Sequence, residues 1–158
     1  MTAAAQTIAV GSDESTPLTD AVIAELGRRG YALTLYGALC QGDARWPVVA
    51  REVGEAVARG AAGQGVLFCW TGTGVSIAAN KVHGVRAALC ADAETARGAR
   101  MWNDANVLCL SLRKTESEAA KEILEAWLAT GVDAGETANI ALVQNADTAD
   151  VVRGRIGA

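Results

Sequence analysis

Short apolar runs recur along this chain at intervals that leave room for one helix between each pair. That alternation limits the possible folds more than any other feature. The runs lie at residues 7–10, 32–36, 66–69, 86–90 and 106–110, and most are apolar throughout. Strands without polar alternation suit a parallel sheet covered on both faces. Between them, Leu18, Val22, Ile23 and Leu26 recur at helical spacing, as do Val49, Val53, Ala56 and Val57, and later Ala119, Ile123, Leu124 and Trp127. Pro17 suits a first helical turn, Gly30 after Arg28 and Arg29 suits a helix stop, and Thr115 with Glu118 has the spacing of a capping box. Strand–helix alternation of this kind predicts a doubly wound α/β sheet.

A chain of 158 residues reads as one domain, 1–158, and 51% hydrophobic against 20% charged residues suits a packed core. The stretch 134–158 is less regular, with a last helix expected at about 146–155 that packs on a neighbouring subunit. Net charge is −4 with Lys and Arg scattered, which argues against nucleic acid or an anionic membrane surface as partner. No apolar run approaches the roughly 20 residues of a membrane span. Residues 1–6 lack the basic start and apolar stretch of a secretory signal, so a cytoplasmic address is expected. Cys40, Cys69, Cys90 and Cys109 form no CxxC pair and read as reduced thiols. His83 is the sole histidine, which disfavours a multi-histidine zinc site or a Ser-His-Asp triad.

In open α/β sheets, ligands bind at the carboxyl ends of the strands. Three such ends carry polar or reactive residues. After the third run, Cys69 is followed by Thr71, Gly72, Thr73 and Gly74 and then by a helical pattern over 75–81. Glycines at a strand-to-helix turn let backbone N–H groups face a phosphate or an enediolate oxygen, and a cysteine at that edge is a usable base or nucleophile. A buried strand-end cysteine beside a tight turn is the plainer alternative. Asp13 and Glu14 close the first run and could bind hydroxyls or move protons, although Glu14 also reads as helix-start acid beside a Ser15 or Thr16 cap. Asn103 and Asp104 could bind a ligand or shape a turn.

The run from Thr71 through Ser76 to Lys81, with Cys69 before it, resembles the signature of the ribose-5-phosphate isomerase B family, which includes the galactose-6-phosphate isomerase subunits. Gly84 to Cys90, Thr95 to Arg97, Asn103 to Leu108 and the opening Gly11, Ser12 and Asp13 agree with it, over about residues 8–127. The resemblance implies a Rossmann-like five-stranded parallel sheet in three layers and an aldose–ketose isomerase without metal or cofactor. It also implies a homodimer or dimer of dimers with the site at the subunit interface. By that resemblance Cys69 moves a proton between adjacent carbons through a cis-enediolate, with Thr71 and Asp13 as catalytic partners. The Gly72, Thr73, Gly74 and Ser76 segment holds the oxyanion, and Asn103 contacts the sugar.

Five departures accompany the match. Glu14 and Trp102 stand where the family usually has histidines, Trp70 replaces a glycine, and Arg45-Trp46-Pro47 replaces Asp-Tyr-Pro. Gly135-Glu136-Thr137-Ala138 occupies the place of a Gly-Gly-Arg-His motif whose arginine binds phosphate. Loss of such a contact removes roughly 1.5–3 kcal/mol, for which Arg45, Arg113 or Arg153 of a neighbouring subunit could substitute. Trp70 and Trp102 supply flat faces that stack on sugars or fill volume. The expectation is a sugar or sugar-phosphate isomerase, or an epimerase, with an atypical and possibly non-phosphorylated substrate. The alternatives are a non-catalytic homologue or partner subunit of a heteromeric isomerase, and an ordinary ribose-5-phosphate isomerase with rearranged phosphate contacts.

Overall fold

The apolar runs pair as expected. A computed structural model describes residues 6–156, within which five parallel strands form one sheet. They are β1 (Thr7–Ser12), β2 (Ala32–Gly37), β3 (Gln64–Cys69), β4 (Ala87–Leu89) and β5 (Val107–Ser111), in the order β2-β1-β3-β5-β4. Register is continuous: Val10 faces Leu35 on one side and Val66 on the other, and Phe68 faces Leu110. β4 pairs with β5 alone, so this edge strand keeps only three residues of the expected 86–90. β3 starts two residues earlier than the apolar run. Gln64 joins the ladder opposite Ile8, and its Oε1 accepts a hydrogen bond of 2.8 Å from Trp127 Nε1.

Six helices follow the strands: α1 (Pro17–Arg28), α2 (Trp46–Ala58), α3 (Thr73–Ala79), α4 (Ala93–Asn103), α5 (Ser117–Ala129) and α6 (Thr137–Ile156). Two apolar layers sandwich the sheet. Leu18, Val22, Ala96, Ala99, Ile123, Leu124 and Trp127 place α1, α4 and α5 on one face. Val49, Val53, Val75 and Ala79 place α2 and α3 on the other. Each large buried side chain contributes about 1.5–3 kcal/mol, so the α5 stripe of Ile123, Leu124 and Trp127 suffices to dock that helix.

Two helix boundaries differ from the sequence pattern. Thr115 and Glu118 make no capping box: Glu116 is the N-cap of α5 without a side-chain bond, because the Thr115 N–H is already spent on Ser111 O at 3.0 Å. The last helix starts near 137 rather than 146. The Asp133 side chain accepts from Gly135 N–H and sets a 3₁₀ turn, Ala134–Glu136, that runs into α6. At α1 the cap is Thr16, whose side chain accepts from Thr19 N–H while the Thr19 hydroxyl accepts from Thr16 N–H.

Candidate active site

The strand order reverses between β1 and β3, where a doubly wound sheet leaves a crevice at its carboxyl edge. A cavity of about 260 Å³ lies there, lined by Asp13, Trp46, Cys69, Trp70, Thr71, Thr73 and Gly74. Cys69, the last residue of β3, is only 5% exposed, yet it lines this cavity. Three hydrogen bonds from the neighbouring strand end hold the Cys69–Trp70 backbone. Leu112 N–H donates to Cys69 O (3.0 Å), and Arg113 N–H and Ser111 Oγ donate to Trp70 O (3.1 and 2.9 Å).

The turn beyond Cys69 requires its glycines. Gly72 has φ +78°, and a Cβ there would lie 2.5 Å from Leu89 Cδ1 and 3.0 Å from Leu110 O. Gly74 carries the Trp46 ring so closely that a Cβ would approach it to 3.1 Å. Thr73 and Gly74 open α3 and line the cavity, and the first N–H groups of a helix have no partner within it. Thr71 and Thr73 share a 2.7 Å hydroxyl–hydroxyl hydrogen bond.

Asp13 brings the one carboxyl on the cavity wall, and its Oδ1 is buried without a hydrogen-bond partner. Burial, reinforced by the Glu14 charge, holds its pKa above the usual aspartate value, partly opposed by a hydrogen bond from its own backbone. A carboxyl so placed is suited to exchanging a proton with a ligand hydroxyl. The other thiols lie outside this cavity, and two of them are disfavoured as thiolates. Burial pushes Cys90 up to about 12 and raises buried Cys109 also, while Cys40 is exposed on a 3₁₀ turn, Ala38–Cys40.

Other expected site residues fall elsewhere. Arg113 lines an adjoining depression of about 190 Å³ with Lys114, Ser111, Leu89 and Thr115, and Thr71 borders both spaces. Arg45 is exposed and grips Asp43 through Nε and Nη2, which holds the Asp43 carboxyl down at about 2. Glu14 is exposed and outside the lining; its backbone N–H donates to Ser12 Oγ. Ser76 sits on α3 behind the turn. Trp102 and Asn103 end α4 and line a separate depression of about 430 Å³ beside Ala88 and Leu89. The Arg153 side chain lies outside the described residues. His83 is exposed and 3.9 Å from Asp147 on α6, away from Cys69. Among the described residues, no group of three or more His, Cys, Asp or Glu could hold a metal ion, and no helix is long and apolar enough to cross a membrane.

Trp46 was not among the expected site residues. Its signal was a large aromatic immediately before Pro47 at the start of the helix that follows the second strand.

The profile of the Ribose/Galactose Isomerase family matches residues 8–144. The chain belongs to that family. It is 39% identical over 114 residues to ribose-5-phosphate isomerase B of Escherichia coli, covering 72% of this chain and 76% of that one. It is 38% identical over 133 residues to a D-erythrulose-4-phosphate isomerase of Pectobacterium atrosepticum, covering 83% and 88%. Among solved structures, type B ribose 5-phosphate isomerase of Trypanosoma cruzi superposes with a TM-score of 0.85 at 33% identity, covering 92% of this chain and 99% of that one. The protein is a sugar isomerase with the three-layer parallel α/β fold of that family.

Proposed function

We propose that the chain interconverts an aldose phosphate and its 2-ketose, with Cys69 as the base and a short, open-chain sugar phosphate as substrate. The observation that carries the reaction is the placement of the Cys69 end of β3. It borders a cavity shared with a carboxyl that has one unpaired oxygen, a hydroxyl pair and a glycine turn. The sulfur takes the proton from C2 of the aldose, and the electron pair of that C–H bond moves to give the enediolate. Backbone N–H groups at Thr73 and Gly74 face the growing negative charge, where pre-oriented donors act most strongly. The sulfur then delivers a proton to C1, having exchanged the one it took with solvent in a share of turnovers. Asp13 and Thr71 exchange the hydroxyl proton between O1 and O2.

Substrate length follows from ring chemistry. In a five-carbon 5-phosphate the free 4-hydroxyl closes a ring on C1, and a proton-transfer group must open it. In a four-carbon 4-phosphate that oxygen is esterified, so no such ring forms. Glu14 and Trp102 replace the family's usual histidines, and the one histidine, His83, lies away from the cavity. That pattern favours the four-carbon compound, in keeping with the D-erythrulose-4-phosphate isomerase relative. Arg113 and Lys114, across Thr71 from Cys69, are the cations we assign to the phosphate. Arg45 is committed to Asp43.

Trp102 and Asn103 face a different depression from Cys69, so we assign them to the neighbouring subunit's site in a dimer whose active sites span the interface. The free thiols Cys69, Cys90 and Cys109 are in keeping with a reducing, cytoplasmic address.

Solvent-deuterium incorporation at the carbon next to the carbonyl tests this reading. Four- and five-carbon aldose phosphates are incubated with the protein and with Cys69→Ala. Exchange with the four-carbon compound is expected, falling by about 10²–10⁴-fold in the variant. Unchanged exchange in Cys69→Ala removes the thiol from the mechanism. Faster turnover of the five-carbon compound returns the protein to ordinary ribose-5-phosphate isomerase activity.

A further inference from the structure

The Cys69 cavity has walls of unequal kind. On the β5 side it passes Thr71, which also borders the depression holding Arg113 and Lys114. On the α2 side it meets Trp46, which lines the first space and not the second. Trp46 is held from three directions. Its ring lies on the Gly74 backbone, close enough that a Cβ there would come to 3.1–3.3 Å of three ring carbons. Its own backbone opens α2, where Arg45 O accepts from Val48 and Val49 N–H at 2.9 and 3.1 Å. The preceding loop carries the exposed Arg45–Asp43 pair, and the next turn is anchored by fully buried Val49 and Ala50. Trp46 is 43% exposed, and its ring must leave the Gly74 backbone to make room for a longer ligand.

We infer that Trp46 is the specificity-determining stop at the carbonyl end of the substrate, and that it sets the carbon-chain length the enzyme accepts. This rests on the reading above, in which the phosphate is held at Arg113 and Lys114 and the reacting carbons lie at Cys69. With the anion held at one end, each added carbon pushes the other end toward the indole. A pocket without a stop would take longer sugar phosphates nearly as well, because one extra methylene alone is a weak discriminator.

The test uses alditol phosphates of four, five and six carbons, which lack a carbonyl and bind without reacting. Their inhibition constants are measured on the intact chain, on Trp46→Ala and on Trp46→Tyr. The unaltered protein is expected to lose about tenfold or more in affinity from four to six carbons. Trp46→Ala should flatten that dependence to about threefold or less, with Trp46→Tyr between them. The same length dependence in all three proteins overturns the inference while leaving the isomerase reading intact. Failure of the unaltered protein to bind any of these phosphates removes both. Should Trp46→Ala not fold, Trp46→Tyr decides: no change in its ratio is the contrary result.

Discussion

Two polar turns of this chain look alike in sequence and do different work in the structure. One follows Cys69 at the end of β3, and the other, Asn103 to Ala105, ends α4. The first surrounds space: Gly72 is left-handed, Asp13 Oδ1 nearby has no partner, and a cavity opens between them. The second is filled with bonds. Asp104 takes Arg86 Nη2 and Arg100 Nη1 on its two carboxylate oxygens, both at 3.1 Å, and its carbonyl accepts from Arg86 Nε at 2.7 Å. The Arg100 guanidinium also lies 5.7 Å over the Trp127 ring. Each region keeps one buried unpartnered atom, Asp13 Oδ1 in the first and Arg100 Nε in the second, but only the first lies on a cavity wall, whereas both carboxylate oxygens of Asp104 are engaged. Asp104, despite standing in the family's Asn-Asp pair, is therefore structural, and it fixes the direction in which Trp102 and Asn103 project.

The sharpest way to test this division is to ask whether the two turns meet across a subunit boundary. Mixing inactive Cys69→Ala with a weakened Trp102→Ala should regenerate activity, since each mixed dimer carries one intact site; no recovery places both turns in one protomer's site. Next in size, Asp104→Ala leaves two largely buried arginines without their shared carboxylate, and unfolding in denaturant should show a loss of about 3 kcal/mol. A loss below about 1 kcal/mol would mean the clamp is not what holds this turn. Gly72→Ala should cost about 1–3 kcal/mol through its positive φ and the Leu89 contact, with kcat falling alongside.

The smallest effect has the opposite sign. Asp13 is held above its ordinary value of 3.8, so the folded state favours its protonated form. Its native-state advantage is complete below pH 3.8 and is lost as pH rises through the raised value. Asp13→Asn should thus melt a few degrees higher than the unaltered protein at neutral pH, with the gain vanishing in acid, while activity drops. An equal or lower melting temperature at pH 7 would show that Asp13 carries no stored cost.

The sheet was legible because its strands are apolar on both faces, and the Cys69 turn because its left-handed position carries a glycine, Gly72. What escaped the sequence depended on long-range partners. Gln64 looked like loop until the Trp127 indole gave its amide a partner, which extends β3. Thr115 had the chemistry of a cap, but its N–H closes a turn onto Ser111. The start of α6 was hidden because Asp133 and a short 3₁₀ turn, rather than an apolar stripe, begin it; Ile140 is its one buried apolar anchor among the residues with described side chains. Trp46 reads locally as a helix opening, and only the approach of α2 to Gly74 brings it to the site. Trp102 and Asn103 were legible as a polar strand-end pair, but not the depression they face, which depends on how α4 lies against the β4 edge.

The three hydrogen bonds between the ends of β3 and β5 carry a mechanical meaning. The backbone bearing the Cys69 sulfur and the backbone leading into Arg113 are stitched into a single stiff piece, like the two jaws of a locked caliper. Thermal motion can slide that piece relative to α2, but it opens the jaws only by breaking sheet-edge bonds. Of the two walls the strand side is the fixed one, so mutations that alter the length of ligand accepted should accumulate on the helix side of the cleft, where Trp46 lies.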